Sequence, residues 1–319
     1  MRRRVLLAST AAVATTPRAV FARDVYRIGI LGAGAPIVPD ASLVRGLANA
    51  GYAVGKNLVF ESRGAEGRPD RLPDLVAELV VARVDVIVTA GYPAALAARR
   101  GTAVPVVATN SGDPVATGLV ETLARPGGNL TGISDVSAEL TPKRLEFLKM
   151  VAPGLTRVAI LWNADDLGMT LRSRASETGA RALGLTVLQL GVRQPDDFDD
   201  AFKAMDADKP DAILMVTDSL TNLNRKRVFD YAAKHRLPAM YEIDRLVRDG
   251  GLMSYGPDTG ESFERIAALI DRILKGRKPA DLPFEQPTRF KLVINAKTAT
   301  ALGLAIPPTL LARADEVIE

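Results

Sequence analysis

The 319-residue chain carries 41 Lys+Arg against 37 Asp+Glu, one His and no Cys, with 47% hydrophobic and 24% charged residues. That balance is typical of a globular protein and excludes a disordered or membrane-embedded chain. Without Cys there are no disulfides, thiolate zinc sites, thiol nucleophiles or lipid anchors on an N-terminal Cys. With His235 as the only imidazole, a two-histidine metal site is excluded as well. This poverty of catalytic side chains argues for binding over catalysis, and no catalytic residue, cofactor or metal ligand is assigned. The length suits two domains of about 130–150 residues better than one large core.

The chain opens on MRRRVLLASTAAVATTPRAVFA, which holds four arginines, no acid, and a short apolar run from Val5 to Ala14. It reads as a secretory leader, residues 1–22, cut after Ala22. The apolar run is too short for a membrane span of about 20 residues. Arg3-Arg4 before Val5-Leu6-Leu7 also suits a twin-arginine exporter. The competing reading is a basic arm that touches nucleic acid or lipid. Without these four arginines the basic count equals the 37 acids, so a nucleic-acid role has no electrostatic support. The mature protein is expected in the periplasm.

From Tyr26 onward, short β-branched runs alternate with amphipathic stretches. Strands are predicted at Arg27–Leu31, Leu58–Ser62, Val84–Thr89, Val104–Thr109, Leu130–Ile133, Val158–Trp162, Thr186–Leu190, Ala212–Val216, Pro238–Tyr241 and Leu252–Tyr255. Several are continuous apolar runs (VIVTA, VAILW, AILMV), as parallel strands covered on both faces should be. Helices are predicted at Arg71–Ala82, Lys143–Val151, Leu171–Leu183 and Ser262–Leu274; in the last, Phe263, Ile266, Ala267 and Ile270 keep helical spacing. The alternation means an α/β doubly wound architecture. Val84 to Pro114 and Pro210 to Arg245 share one order of strand, polar loop, helix and short strand, which suggests two similar lobes. Turn-rich junctions near Gly132–Pro142, Gly250–Asp258 and Leu282–Phe290 mark three crossings between them.

In doubly wound sheets, ligands sit beyond the carboxyl ends of strands, where helix N-termini offer free N–H groups. That rule selects Gly34, Ala35, Gly91, Tyr92, Asn110 and Asp113 from the first half. From the second half it selects Asn163, Thr217, Asp218, Ser219, Tyr241 and Glu242, with Ser254 and Tyr255 near a crossing. Asp113 and Asp218 each precede a helix, so each reads either as a cap or as a carboxylate for a ligand ammonium. Thr217 and Ser219 read as donors to a ligand carboxylate or as caps. Tyr92, Tyr241 and Tyr255 stand at strand ends, where they form an aromatic wall or pack in the core. Gly32-Ala33-Gly34 lacks the third glycine of a dinucleotide loop, with Ile37 in its place, and reads as a tight turn.

Five segments carry a family resemblance: LARPGGNLTGIS (Leu123–Ser134), RLEFLKMVAPGLTRVAILWN (Arg144–Asn163), GGLMSYGPD (Gly250–Asp258), QPTRFKLVINAKTATALGL (Gln286–Leu304) and PPTLLARADEVIE (Pro307–Glu319). With them the chain resembles, from about Arg27 to Glu319, the extracytoplasmic substrate-binding proteins of ABC transporters, in the family that includes tryptophan-binding members. The resemblance implies a type I periplasmic-binding-protein fold, two Rossmann-like lobes joined by a multi-strand hinge. The first lobe is then residues 23–133 plus about 258–286, and the second 134–257 plus about 287–319. It also implies a monomer that captures a small-molecule solute, an amino acid or similar zwitterion, and delivers it to the permease subunits. The sequence departs from the family at Gly91-Tyr92-Pro93, where Gly-Thr-Pro is frequent, and at Gly112-Asp113-Pro114, where Ser-Asp-Pro is common. Two other readings compete. One is an α/β enzyme with Asp113 or Asp218 as general base. The other is a repressor's effector domain, for which residues 1–25 leave no room for a helix-turn-helix.

Overall fold

The computed structural model describes residues 25–319; the expected leader and its cleavage point after Ala22 lie outside the described residues. The first unit alternates β1 (Tyr26–Gly32), α1 (Ala41–Asn49), β2 (Leu58–Gly64), α2 (Leu72–Val81), β3 (Val86–Ala90), α3 (Tyr92–Gly101), β4 (Val106–Thr109) and β5 (Leu130–Ile133). Its five strands form one parallel sheet in the order β2-β1-β3-β4-β5. The second unit begins with α4 (Thr141–Val151), β6 (Arg157–Asn163), α5 (Leu167–Ala182), β7 (Thr186–Val192), α6 (Asp197–Asp208) and β8 (Ala212–Met215). It continues through α7 (Ser219–Leu223), α8 (Arg225–His235), β9 (Ala239–Tyr241), α9 (Asp244–Arg248) and β10 (Met253–Pro257).

The chain then returns to the first unit. α10 (Thr259–Leu274) is strongly amphipathic, and it buries Ile266, Ala267, Ile270 and Ile273 with Leu43 and Leu47 of α1. Gly46 lets the two helices close, since a Cβ there would lie 2.7 Å from that of Ala267. β11 (Phe290–Asn295), α11 (Ala296–Leu302), α12 (Pro308–Leu311) and β12 (Glu316–Ile318) then complete the second unit. Its sheet runs β12-β11-β10-β9-β8-β6-β7.

The α/β architecture of two doubly wound units is as the sequence predicts, and every predicted strand is present with ends within two residues. The differences have local causes. β11 pairs antiparallel with β10, so the second sheet is mixed rather than wholly parallel. β11 and β12 are absent from the predicted strands because each lies against a helical stretch at the C-terminal end of the chain. α5 starts before the predicted Leu171 because Asp166 caps it, accepting from the Met169 N–H at 3.1 Å.

Three segments link the units: one after β5, one between β10 and α10, and one before β11. The first and third lie side by side. The Ser134 N–H donates to the Glu285 carbonyl at 2.9 Å, and the Glu285 N–H to that of Gly132 at 2.8 Å. Within the first link Val136, a β-branched residue, holds a left-handed φ of +43°. Such a conformation costs about 1–3 kcal/mol and persists only where neighbours hold it.

Gly132 is fixed by a close approach within the first sheet, since a Cβ there would lie 2.1 Å from the Ala108 carbonyl oxygen on β4. Backbone cannot rotate aside as a side chain can. Gly132→Ala is therefore expected to lower the free energy of unfolding by about 2–3 kcal/mol. Urea denaturation checks this; an unchanged midpoint would mean that β5 shifts without cost.

Candidate functional site

The carboxyl ends of the strands in the two units face each other. The loop after β1 meets α7, where a Cβ on Gly34 would lie 3.7 Å from that of Ser219. The loop after β2 meets the end of α7, with Gly67 at 3.7 Å from a Leu223 methyl by the same measure. The loop after β4 meets α5, where a Cβ on Gly112 would lie 3.2 Å from the Gly168 Cα. A closed cleft therefore runs between the loops after β1, β3 and β4 and those after β6 and β8.

Of the residues selected by the strand-end rule, Gly34, Ala35, Gly91, Asn110, Thr217 and Asp218 lie on these loops, Asn163 ends β6, and Tyr92 and Ser219 open α3 and α7. Gly91 holds a φ of +89° and starts α3, and its N–H donates to the Thr109 carbonyl at 2.9 Å. Asp113 is exposed and accepts from the N–H groups of Val115 and Ala116 at 2.9 and 3.1 Å. It closes a turn rather than capping a helix. Asp218 closes a capping box with Thr221: its Oδ1 accepts from the Thr221 N–H at 2.9 Å, and its own N–H donates to Thr221 Oγ1 at 2.9 Å. Its Oδ2 accepts from Asn163 Nδ2 at 2.6 Å, so these two selected residues are bonded to each other.

The tyrosines are not brought together as an aromatic wall. Tyr241 is 1% exposed and packs edge-on to Phe229, ring centroids 5.3 Å apart, in the core that includes Val228 and Leu246. That burial pushes its phenol pKa up. Tyr255 packs edge-on to Phe147 at 5.2 Å. Side chains alternate along a strand, so a residue at a strand end belongs to a covered face as often as to the crevice. Ser254 is buried within β10 and its Oγ has no partner among the described residues.

Glu242 is buried, with both oxygens occupied by protein donors. Oε1 accepts from Ser137 Oγ at 2.6 Å and Arg144 Nη1 at 3.0 Å; Oε2 accepts from Arg172 Nη1 at 2.7 Å and the Thr217 N–H at 2.8 Å. Burial opposes ionisation, but the Arg172 and Arg144 guanidiniums hold the carboxyl below its ordinary range. Arg172 also pairs with Asp135, and Arg144 donates to the carbonyls of Tyr255 and Ser137 at 2.7 and 2.8 Å. Glu242 is thus a structural ion that positions Thr217, and its carboxylate has no free edge toward the cleft.

Sequence reasoning missed Asp166. It is 2% exposed, sits between β6 and α5, and has its pKa raised to about 7, first by burial and then by the charge of Asp218. A signal was present, because an Asp before an apolar-periodic helix is a cap. Also missed were Thr89 Oγ1 and Ser111 Oγ, buried at the ends of β3 and β4 and, like Thr217 Oγ1, without hydrogen-bond partners among the described residues. Within this cluster the carboxyls of Asp135, Asp166, Asp218 and Glu242 outnumber the guanidiniums of Arg144 and Arg172. Arg144 and Arg172 pair with Glu242 and Asp135, and Asp166 and Asp218 have no ion pair among the described residues.

The family described as ABC transporter substrate binding protein matches residues 40–318. A tyrosine-binding protein of Clostridioides difficile is 24% identical over 262 residues, which cover 82% of this chain and 75% of that protein. Among solved structures, a conserved domain protein from Vibrio cholerae superposes with a TM-score of 0.83 at 27% identity, covering 92% of this chain and 99% of the other. The ABC domain of a Streptococcus pneumoniae protein in complex with L-Trp has a TM-score of 0.80 at 26% identity, covering 92% of this chain and 100% of the other.

Two variants probe the cluster. Asp218→Ala removes a capping box and is expected to lower stability by about 1 kcal/mol in thermal melts. Asp166 holds its proton up to about pH 7 in the folded protein, against an ordinary value of 3.8. Between these values the native state binds more protons than the unfolded chain. The contribution of Asp166 to stability therefore declines as pH rises through this window and is lost above pH 7, a change of about 4 kcal/mol at most. Asp166→Asn keeps an N-cap without the charge. Its stability should exceed that of the unsubstituted protein at pH 8 and converge with it near pH 4, as read by urea denaturation at the two pH values.

Proposed function

The chain belongs to the ABC transporter substrate-binding protein family and is a solute-binding receptor for an ABC importer; we propose that its solute is an amino acid with an aromatic side chain. One observation carries this reading, the surplus of carboxyls over guanidiniums at the closed cleft. The ligand ammonium supplies the missing cation, facing Asp166 and Asp218, whose Oδ2 takes a single neutral donor, the Asn163 amide. The unpartnered hydroxyls of Thr89, Ser111 and Thr217 suit a ligand carboxylate, for which each has a proton to donate. Tyr92, half-buried at the start of α3, is the aromatic side chain left at the cleft for stacking. The relatives that bind tyrosine and L-Trp support the same class of ligand.

The remaining parts of the reading follow. Residues 23–133 with about 258–286 act as one lobe and residues 134–257 with about 287–319 as the other, bending at the three links. The family is extracytoplasmic, and among the described residues no helix is long and apolar enough to cross a membrane. The protein works in the periplasm after losing its leader at Ala22, as a monomer that hands its solute to permease subunits. It performs no catalysis, because Asp113 and Asp218, the bases an enzyme would draft, are engaged by backbone N–H groups: Asp218 caps α7, while Asp113, expected to precede a helix, closes a turn instead.

A thermal-shift screen of the mature protein tests the ligand class. L-tryptophan or L-tyrosine at a hundred times its dissociation constant should stabilise by about 2.7 kcal/mol, and sugars should not. Because the ligand ammonium favours ionised Asp166, affinity should fall below pH 7, approaching tenfold per pH unit. Calorimetric titration from about pH 5 to 8 reads this directly. Flat affinity across that range places the ammonium elsewhere, and a shift with sugars alone removes the amino-acid reading.

A further inference from the structure

The places where a glycine of one lobe lies against the other lobe are not alike. At Gly34 and Ser219, and at Gly67 and Leu223, a side chain on the second lobe makes the contact, at ordinary van der Waals distance. At Gly112 and Gly168 neither lobe presents a side chain, and backbone meets backbone. Both glycines are buried. Gly112 has a φ of +74°, which itself favours glycine, whereas no such constraint applies to Gly168 near the start of α5. A Cβ on Gly168 would lie 3.1 Å from the Ser111 carbonyl oxygen and 3.5 Å from the Tyr92 Cβ, both on the opposite lobe. It would also lie 3.2 Å from Asp166 Oδ1 on its own lobe, the atom that caps the helix by accepting from the Met169 N–H.

We propose that the Gly112–Gly168 contact is a latch that sets how far the lobes close, so that one methyl at residue 168 holds the cleft ajar. This rests on the reading of the chain as a receptor whose two lobes open and close, but not on the identity of its solute. The physical basis is that a few tenths of an ångström of overlap can be relieved at the other contacts by turning a side chain. Here relief requires one lobe to back away from the other, because both loops are held by the sheets that carry them. α5 itself gains from the substitution, since Ala is the better helix former.

Closure can be measured without a ligand. The sequence has no Cys, and the Cβ positions of Gly34 and Ser219 fall within the 3.5–4.5 Å window for a disulfide. The double variant Gly34→Cys, Ser219→Cys in oxidised glutathione therefore cross-links when the lobes close, the two thiols being oxidised as glutathione disulfide is reduced. Adding Gly168→Ala should slow cross-linking about fivefold or more, the lower bound for overpacking a tight contact. Gly179→Ala is the control, because it lies in the same helix with Pro142 at an ordinary 3.6 Å. It should leave the rate unchanged. Thermal melts of both alanine variants at or above the parent show that neither loses its fold or the Asp166 cap. Three outcomes overturn the latch: equal rates with and without Gly168→Ala, equal slowing by Gly179→Ala, or no cross-link in the parent double variant. Failure of L-tryptophan and L-tyrosine to bind removes the solute assignment and leaves the cross-linking result standing.

Discussion

The geometry of the cleft hangs on one buried run of charges, Asp135–Arg172–Glu242–Arg144. Its members come from the first link, from α4 and α5, and from the loop after β9, so it fastens the point where the chain enters the second lobe to that lobe's body. Burying such ions adds little net stability compared with apolar packing of the same volume. Losing one partner, however, strands the rest and costs about 3–5 kcal/mol. The run therefore acts through position. It holds Asp135 and Ser137 on either side of strained Val136, and it presents the Thr217 N–H and hydroxyl at the end of β8.

The third link is fastened the other way. Glu261 on α10 accepts from the Thr288 hydroxyl and from the Arg289 N–H at 2.8 Å, while Arg265 Nε reaches Glu285 at 2.7 Å. This segment thus belongs mechanically to the first lobe, and the first link belongs to the second. In the two-lobe reading proposed above, bending falls to the few residues between these fastenings. A hinge defined this way can be stiff within each lobe while leaving the angle between them soft.

Most of the fold was legible in the sequence because the pattern that marks a parallel sheet is local. VIVTA, VAILW and AILMV are apolar without interruption, and the stripe of α10 is spaced by helical turns. The site was legible only in part. Proximity to a strand end placed Gly34, Tyr92, Asn163 and Asp218 where the two units face each other, since the topology alone brings those loops together. It could not separate the inward face from the outward one, which is why Tyr241 and Tyr255 were selected although both pack against apolar cores. Nor could it reveal that Glu242 is saturated by Arg144 and Arg172, whose pairings span 98 and 70 residues. Arg172 does leave a trace, because it shares a helical face with Met169, Ser173 and Ser176, all of them buried.

The return of α10 to the first lobe sets the order in which the molecule can be assembled. The Tyr52 hydroxyl donates to Asp271, a partner 219 residues further on, and one apolar face of the first sheet, with Ile28, Val86 and Val88, is covered by that same helix. A ribosome adds about 5–20 residues per second, so the sheet waits on the order of ten seconds for its cover. Contacts so distant in sequence also form slowly once they become available. The second lobe waits longer, since β11 and β12 come last of all. Neither half of the polypeptide can finish folding while its final fifth is still being synthesised.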